Sequence, residues 1–539
     1  MRAIGFTIAV LALLLTSCES YRGSGATARQ EPARRAHRID LAQVPLWSEK
    51  ALEFFLHGSM STEVVPEALL QAFGATYPDL FPGKDLLSFG AIVEQPGELP
   101  LGFSRREVPH LGGLSAVGMN CASCHTVEIA PKGGASVIVL GANGHFDAEA
   151  YFGAVTVAML RTAEPENMRR FLKHYLIAID PKAGEAAQQL LDAALAEQRE
   201  RISAAIKTDP SGAKDIAAGA LHPLRAADLR LDHKRLESGV DLATLASSLL
   251  KLFHNIRVSL HIPDELPKEL PPASGPGRND PFGLLSRSLF GVATPYSPVK
   301  PGITWNLENR TWVHADGNTR LPIIRNLLAS LGLGAPLLGN EGMLDFAQVK
   351  RHTDLTETMR APRYPWAVDA DAARRGAKLY QTLCASCHEG PENDKRLYAL
   401  EQIGTDPTRA RAFDAQQATL LNNFFEKVQI KGFRPPKEPV IRSTGKYWAA
   451  GLRGVWARSP YLHNASVRTV EELLTPPAQR PKSYRRGSRI YDTKAMGFID
   501  EGHYVLDTTR LGNSNAGHDY GTRLSAAEKR DLIEFFKTK

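Results

Sequence analysis

Cys384-Ala385-Ser386-Cys387-His388 is the stretch on which the reading of this chain turns. On one helical turn the two cysteines lie three apart and the histidine four beyond the first, so two sulfurs and an imidazole share a face. Such a face can carry two thioether bonds to a porphyrin together with an axial ligand to its iron, and C-x-x-C-H is the attachment pattern of c-type haem. The same five residues recur as Cys121-Ala122-Ser123-Cys124-His125. A single C-x-x-C also suits a thioredoxin-like redox pair or half a zinc site, but neither requires a histidine directly after the second cysteine. Two covalently bound c-type haems are therefore expected, one on Cys121, Cys124 and His125 and one on Cys384, Cys387 and His388. Both histidines are expected as proximal iron ligands.

The 539 residues are 43% hydrophobic and 23% charged, the profile of a folded protein of two or three domains. Four of the five cysteines fall in the two motifs, so no disulfide framework remains. The fifth, Cys18, closes Leu15-Thr16-Ser17-Cys18 after an apolar run from Ile4 to Leu15. That run is too short to span a bilayer but fits a signal peptide. The tetrapeptide resembles a bacterial lipoprotein box, in which Cys18 is lipidated; an ordinary signal peptide cleaved nearby is the alternative. Residues 1–17 are read as signal peptide and 18–38 as a flexible tether, reaching roughly 25 Å on average. The expected location is the bacterial periplasm or cell surface, at the outer membrane, with the lipid as the membrane attachment. A net charge of +7 is mild for this length. Basic clusters such as Arg105-Arg106 and Lys482 to Arg489 fit solvated faces, or the docking of an acidic redox partner. No nucleic-acid partner is expected.

Along the chain, helices are expected near Trp47–Leu56 and Pro66–Phe73, and a short buried strand at Ser136–Leu140. Asp147 reads as a helix cap. The Ala-, Leu- and Glu-rich region from 164 to 206 and the apolar Leu242–Ile256 together suggest a helical insertion at about 164–256. Six prolines between Ile262 and Pro281 mark a long loop. The Asp371–Leu383 periodicity predicts a helix running into Cys384, with Gly376 as a point of close approach. Ser525 and Glu528 form a capping box before a helix striped by Leu532, Phe535 and Phe536. The fold expected is mainly α, with two class I cytochrome c-like haem domains, long loops and the helical insertion in the N-terminal half. Residues 39–361 form the N-terminal haem region and 362–539 the C-terminal cytochrome c domain.

Leu452-Arg453-Gly454-Val455-Trp456, followed by Ser459-Pro460-Tyr461-Leu462-His463-Asn464-Ala465-Ser466, resembles a segment of the bacterial di-haem cytochrome c peroxidase superfamily. Gly512-Asn513-Ser514-Asn515-Ala516-Gly517-His518 and Trp312-Val313-His314-Ala315-Asp316-Gly317-Asn318-Thr319 are more similar to the di-haem rubber oxygenases. The likeness covers the C-terminal domain well, the N-terminal part in patches, and the 164–206 region not at all. It implies histidine on both faces of the C-terminal haem, with His518 preferred and His463 second as the distal ligand. Met496 takes that place if the chain is closer to the peroxidases, whose high-potential haem is His/Met. It also implies that the N-terminal haem, held by His125, binds dioxygen or hydrogen peroxide. No distal residue there is identified; His110, His145, His174 and His314 all stay open, and so does a vacant position. Trp305, Trp312, Trp448 and Trp456 are candidates for a conducting aromatic, with at least two expected in the core. Asp316-Gly317-Asn318 reads first as a plain turn, with a calcium site as the weaker alternative that the resemblance implies.

The function so implied is an exported di-haem oxidoreductase, rubber-oxygenase-like or peroxidase-like, passing electrons through the C-terminal haem. Its partners are a small oxidant and either an apolar organic substrate or a small redox protein. The alternative is a non-catalytic di-haem electron-transfer cytochrome.

Overall fold

The computed structural model describes residues 38–84, 86–95, 97–181, 185–208, 221–230, 241–262, 273–308, 310–336, 344–390, 393 and 395–539. Residues 1–37, which hold the expected signal peptide, Cys18 and nearly all of the expected tether, lie outside the described residues. So do residues 263–272 of the proline-rich segment. Among the described residues helix predominates, interleaved with five small sheets. This is compatible with a mainly α chain, yet it contains more strand than the sequence suggests.

The C-terminal region is built as its sequence implies. Asp369 caps the Ala370–Leu383 helix, its carboxylate accepting from the backbone of Asp371 and Ala372 at 3.0 Å each. That helix runs into Cys384 and crosses the Ala526–Lys537 helix, whose capping box joins Ser525 and Glu528. At the crossing, a Cβ on Gly376 would stand 2.0 Å from the Asp531 carbonyl oxygen, so only glycine lets the backbones approach this closely. Arg375 spans the same crossing to Asp531 at 2.7 Å, and Tyr380 packs on Phe535 with ring centres 5.0 Å apart.

The first motif has a different frame. It is a four-residue helix, Cys121–Cys124, set directly on the strand Leu114–Met119. This strand pairs antiparallel with Phe103–Val108, Phe103 opposite Met119 and Val108 opposite Leu114, and the turn between them uses Gly112 and Gly113 at positive φ. The sequence reading sees only the glycine loop, because Leu114–Met119 is buried on both faces and shows no alternation. The long helix leading into the motif that a class I cytochrome c-like domain calls for is thus present at Cys384 and absent at Cys121.

From His125 the chain passes straight into the strand Thr126–Pro131. This strand belongs to a five-stranded sheet in the order Arg38–Ile39, Val137–Leu140, Thr126–Pro131, Ile490–Asp492, Gly497–Phe498. It pairs parallel with Ile490–Asp492, and Arg489 meets Glu128 at 2.6 Å beside it. Trp305, Tyr380, Trp456 and Tyr491 share one apolar core with Val127 and Ile129. Residues on either side of 361/362 therefore share both a sheet and a core, and the two motifs are held toward one interior.

The helical insertion folds as Pro165–Ile179, Glu185–Glu197, Arg199–Thr208 and Leu242–Ser259. It packs on the Glu67–Thr76 helix around Phe73, Phe171 and Phe253, whose ring centres lie 5.0 to 5.9 Å apart. Asp147 caps the Ala148–Thr162 helix, accepting from Ala150 at 3.0 Å. No helix of the described residues is long and apolar enough to cross a membrane.

Candidate haem sites

Asn120 sets the first motif. Its side-chain oxygen accepts from the Ala122 backbone at 2.9 Å, while its amide donates to the carbonyls of Leu56 and Gly58 at 3.3 and 2.9 Å. Gly102, at positive φ, runs so close beneath the turn that a Cβ there would lie 1.9 Å from Ser123 N. The backbone N–H of Gly144 donates to Cys124 O at 2.8 Å, and that of Gly141 to His125 O at 2.6 Å. The turn is thus clamped on three sides, leaving its sulfurs and imidazole to face the fourth.

At the second motif, His388 Nδ1 lies 2.8 Å from the Ala450 carbonyl oxygen. A carbonyl only accepts, so Nδ1 carries the proton and Nε2 keeps its lone pair. The His518 ring stands opposite, its centre 6.3 Å away and tilted by 51°. A metal–imidazole bond of about 2.0 Å on each side, with about 1.1 Å from ring nitrogen to ring centre, places two axial imidazoles roughly 6.2 Å apart. The observed ring-centre spacing leaves room for one metal ion between the two imidazoles. Arg480 holds the His518 loop by donating to the carbonyls of Asn515, Gly517 and His518 at 2.5, 2.8 and 3.3 Å. The loop reaches in because Gly517 allows it: a Cβ there would meet Gly404 C at 2.1 Å.

Both motifs open on one cavity of about 740 Å³. Cys121, Cys124, His125, Cys384, Cys387 and His388 all line it. All six residues are partly buried and keep some accessible surface. The wall is mainly apolar, with buried cations set into it. Lys300 donates to the Arg458 and Pro460 carbonyls at 2.6 and 2.5 Å, and burial, then Arg458 and Arg486, push its ammonium down to about 7. Burial lowers the Arg458 guanidinium to about 9. Burial, then Arg325, pushes the His125 imidazole down to about 3; burial, then His388 and Arg480, takes His518 to about 4. Neutral imidazole is the form that ligates iron. Burial raises the Cys121 and Cys384 thiols to about 11.

The other sequence candidates separate cleanly. His463 lines the cavity but is stacked on Tyr447, ring centres 4.2 Å apart. Met496 is fully buried in the core shared by Tyr491 and Phe498, away from the cavity wall. His174 bonds Thr76, His110 approaches Ser259, and His145 packs on Phe498, so these three stand off the cavity. His314 lines it. Trp305 and Trp456 are core residues, each donating its Nε1–H to a backbone carbonyl, of Arg453 and of Pro362. At the Asp316 turn, Arg409 meets the carboxylate at 3.2 Å and Asn318 donates to it at 3.1 Å, so a guanidinium already neutralises the group that a calcium site would need. Among the described residues no cluster of three or more His, Cys, Asp or Glu is arranged to hold a bare metal ion, and the two cysteine pairs do not converge as a zinc site needs.

Several residues around the two motifs escape the sequence reading. Met60 Sδ sits 3.5 Å from Cys121 Sγ. Arg325, Ala450 and Arg480 carry no spacing signal, because they come from segments distant in the chain.

Residues 445–485 match the RoxA-like, cytochrome c-like family. A 68-residue stretch is 34% identical to the haem protein cytochrome c1-1 of Solanum tuberosum mitochondria, covering 11% of this chain and 20% of that one. These matches support a c-type cytochrome. Its family segment supplies the Ala450 carbonyl that orients His388, together with Trp448, Arg458, Tyr461 and His463 of the cavity wall. The chain is also similar to two uncharacterized proteins of Sinorhizobium fredii. One, y4iJ, is 24% identical over 597 residues, 91% of this chain and 92% of its own. The other, y4iM, is 28% identical over 313 residues, 50% of this chain and 71% of its own. A cytochrome c-like domain implies covalent c-type haem and a role in haem-based electron transfer or oxidoreduction.

Proposed function

We propose that the protein is an exported di-haem c-type oxidoreductase that takes dioxygen or hydrogen peroxide at the Cys121–His125 site and passes electrons through the Cys384–His388 site. The asymmetry of the two sites carries this reading. His388 has an imidazole facing it at the spacing of a shared iron, whereas among the described residues no ring stands so placed against His125. A closed site suits electron transfer, and an open one suits binding of a small oxidant. When bound, haem supplies the redox-active iron; the chain supplies the thiols that fix it, the imidazoles that hold it and the apolar wall that limits water.

His388 is oriented by Ala450 and His518 by the Arg480-braced loop, so both rings are in place before any ligand arrives. The mainly apolar cavity also admits an organic co-substrate, as the likeness to rubber oxygenases implies; peroxide reduction with a small redox protein is the other form of the reaction. Because c-type haem attachment is an export-side process, the reading sets the protein in the periplasm or at the cell surface, with Cys18 as its lipid anchor.

Mass spectrometry of the mature protein is expected to show two haem adducts, one on each cysteine pair. In electron paramagnetic resonance, His518→Ala is expected to remove a low-spin signal and make the second site bind cyanide, while the ferrous wild type already binds carbon monoxide at the first. A single adduct, or two irons that both refuse ligands, would leave an electron carrier in place of the oxidoreductase. Oxygen- or peroxide-dependent turnover of polyisoprene and of a small reduced cytochrome then separates the two enzymatic forms.

A further inference from the structure

His314 is the one histidine among the four first-site candidates that reaches the cavity, and its tautomer is fixed by a chain of neighbours. Arg409 and the Asn318 side-chain amide both meet the buried Asp316 carboxylate, at 3.2 and 3.1 Å. A carboxylate beside a guanidinium accepts and does not donate, so it is the NH2 group of Asn318 that faces it. The Asn318 oxygen must then face the other way, where His314 Nδ1 lies 2.9 Å off and the Thr319 hydroxyl donates to the same oxygen. Nδ1 therefore carries the ring proton, and Nε2 is left as an acceptor. The ring is held edge-on by Phe282, centres 5.5 Å apart at 88°.

Arg325 stands on the same wall, in the first turn of the Pro322–Gly332 helix. Its Nε donates to the Asn326 oxygen at 3.0 Å. Among the described residues no carboxylate lies within ion-pair distance of it, though Glu357 acts on it electrostatically, and it acts in turn on His125, Cys121 and His314 alike. A proton acceptor and a buried cation thus share the cavity wall, the cation acting on the residues of the first motif.

We propose that His314 Nε2 and Arg325 together split a small protic ligand, H–X, at the first site. The H–X bond breaks heterolytically; the electron pair stays on X, which binds as the anion beside Arg325, and the proton forms a new N–H bond on His314. No electron moves in this step. The class of ligand is a weak acid that binds iron as its anion, hydrogen peroxide being the physiological candidate. Asp316 and Asn318 are positioning residues that hold the His314 tautomer. The inference rests on the oxidant-binding reading above.

The test uses the full haem-loaded protein and two probes, hydrogen cyanide, which must lose its proton, and carbon monoxide, which has none. In His314→Leu, cyanide association is expected to slow at least about 100-fold, with carbon monoxide association to the reduced protein, haem content and resting spectrum unchanged. Asn318→Leu is expected to slow cyanide less, about 10-fold, and Arg325→Leu to speed cyanide dissociation about 10-fold. Equal slowing of both probes in His314→Leu would reduce the effect to pocket shape and overturn the proposal. So would unchanged cyanide kinetics, or conversion of the first site from low to high spin, which would make His314 an axial ligand. A wild type that binds neither probe would remove the oxidant-binding reading as well.

Discussion

Replacing Gly376 by alanine tests how the second site is held. An alanine in an exposed helix interior stabilises by about 1 kcal/mol relative to glycine, so helix propensity by itself favours the variant. The structure reverses that sign. The new Cβ would lie 2.0 Å from Asp531 O and 2.9 Å from Phe535 Cβ, against an ordinary contact of 3.4 Å, so the two helices must part by about 1.4 Å. Parting them loosens Tyr380 from Phe535 and Phe536 and draws Arg375 off Asp531. Overpacking of this kind costs about 1–3 kcal/mol and sometimes more. With a backbone carbonyl as the clashing atom the upper end applies, leaving Gly376→Ala less stable by roughly 2 kcal/mol. Urea unfolding of the haem-loaded protein, followed by the absorbance of the second site, is the assay. The midpoint should fall while the slope stays constant, since the surface exposed on unfolding changes little. A midpoint equal to or above that of the wild type would refute the reasoning and mean that the helices cross farther apart than described.

Two further outcomes follow from buried charge. Glu149, raised by burial from 4.5 to about 7, holds its proton in the folded state between those pH values while the unfolded chain has lost it; stability from this group is complete below about 4.5 and is lost as pH rises through about 7. Glu149→Gln should therefore gain on the wild type by roughly 2–3 kcal/mol more at about pH 8.5 than at about pH 4.5, measured by denaturant unfolding at both; a pH-independent difference would contradict it. Asp316→Asn strands the Arg409 guanidinium in the interior and should cost about 3–5 kcal/mol in thermal or chemical unfolding, whereas adding calcium or a chelator should leave the wild-type midpoint where it is.

What the sequence determines is local. Two C-x-x-C-H turns need only helical geometry to bring two sulfurs and an imidazole to one face, and the capping box at Ser525 and Glu528 with the stripe behind it needs only the helical repeat. Gly376 is legible because a glycine inside a strong helix calls for a reason. The Phe103–Val108 and Leu114–Met119 hairpin is not legible, since a strand covered on both faces loses its alternation. Nor is the sheet that ties Thr126–Pro131 to Ile490–Asp492, because a pairing across some 360 residues leaves no periodic trace. Tertiary structure alone decides what faces the histidine of each motif. His518 meets His388 because Gly517 lets one loop press on Gly404 and Arg480 ties it down. His314 comes to the cavity with fixed orientation because Arg409 and Asp316 set which way the Asn318 amide faces, and Arg325 is held separately by Asn326. Ligand identity is written in the motifs, and access to the ligand is written in the packing around them.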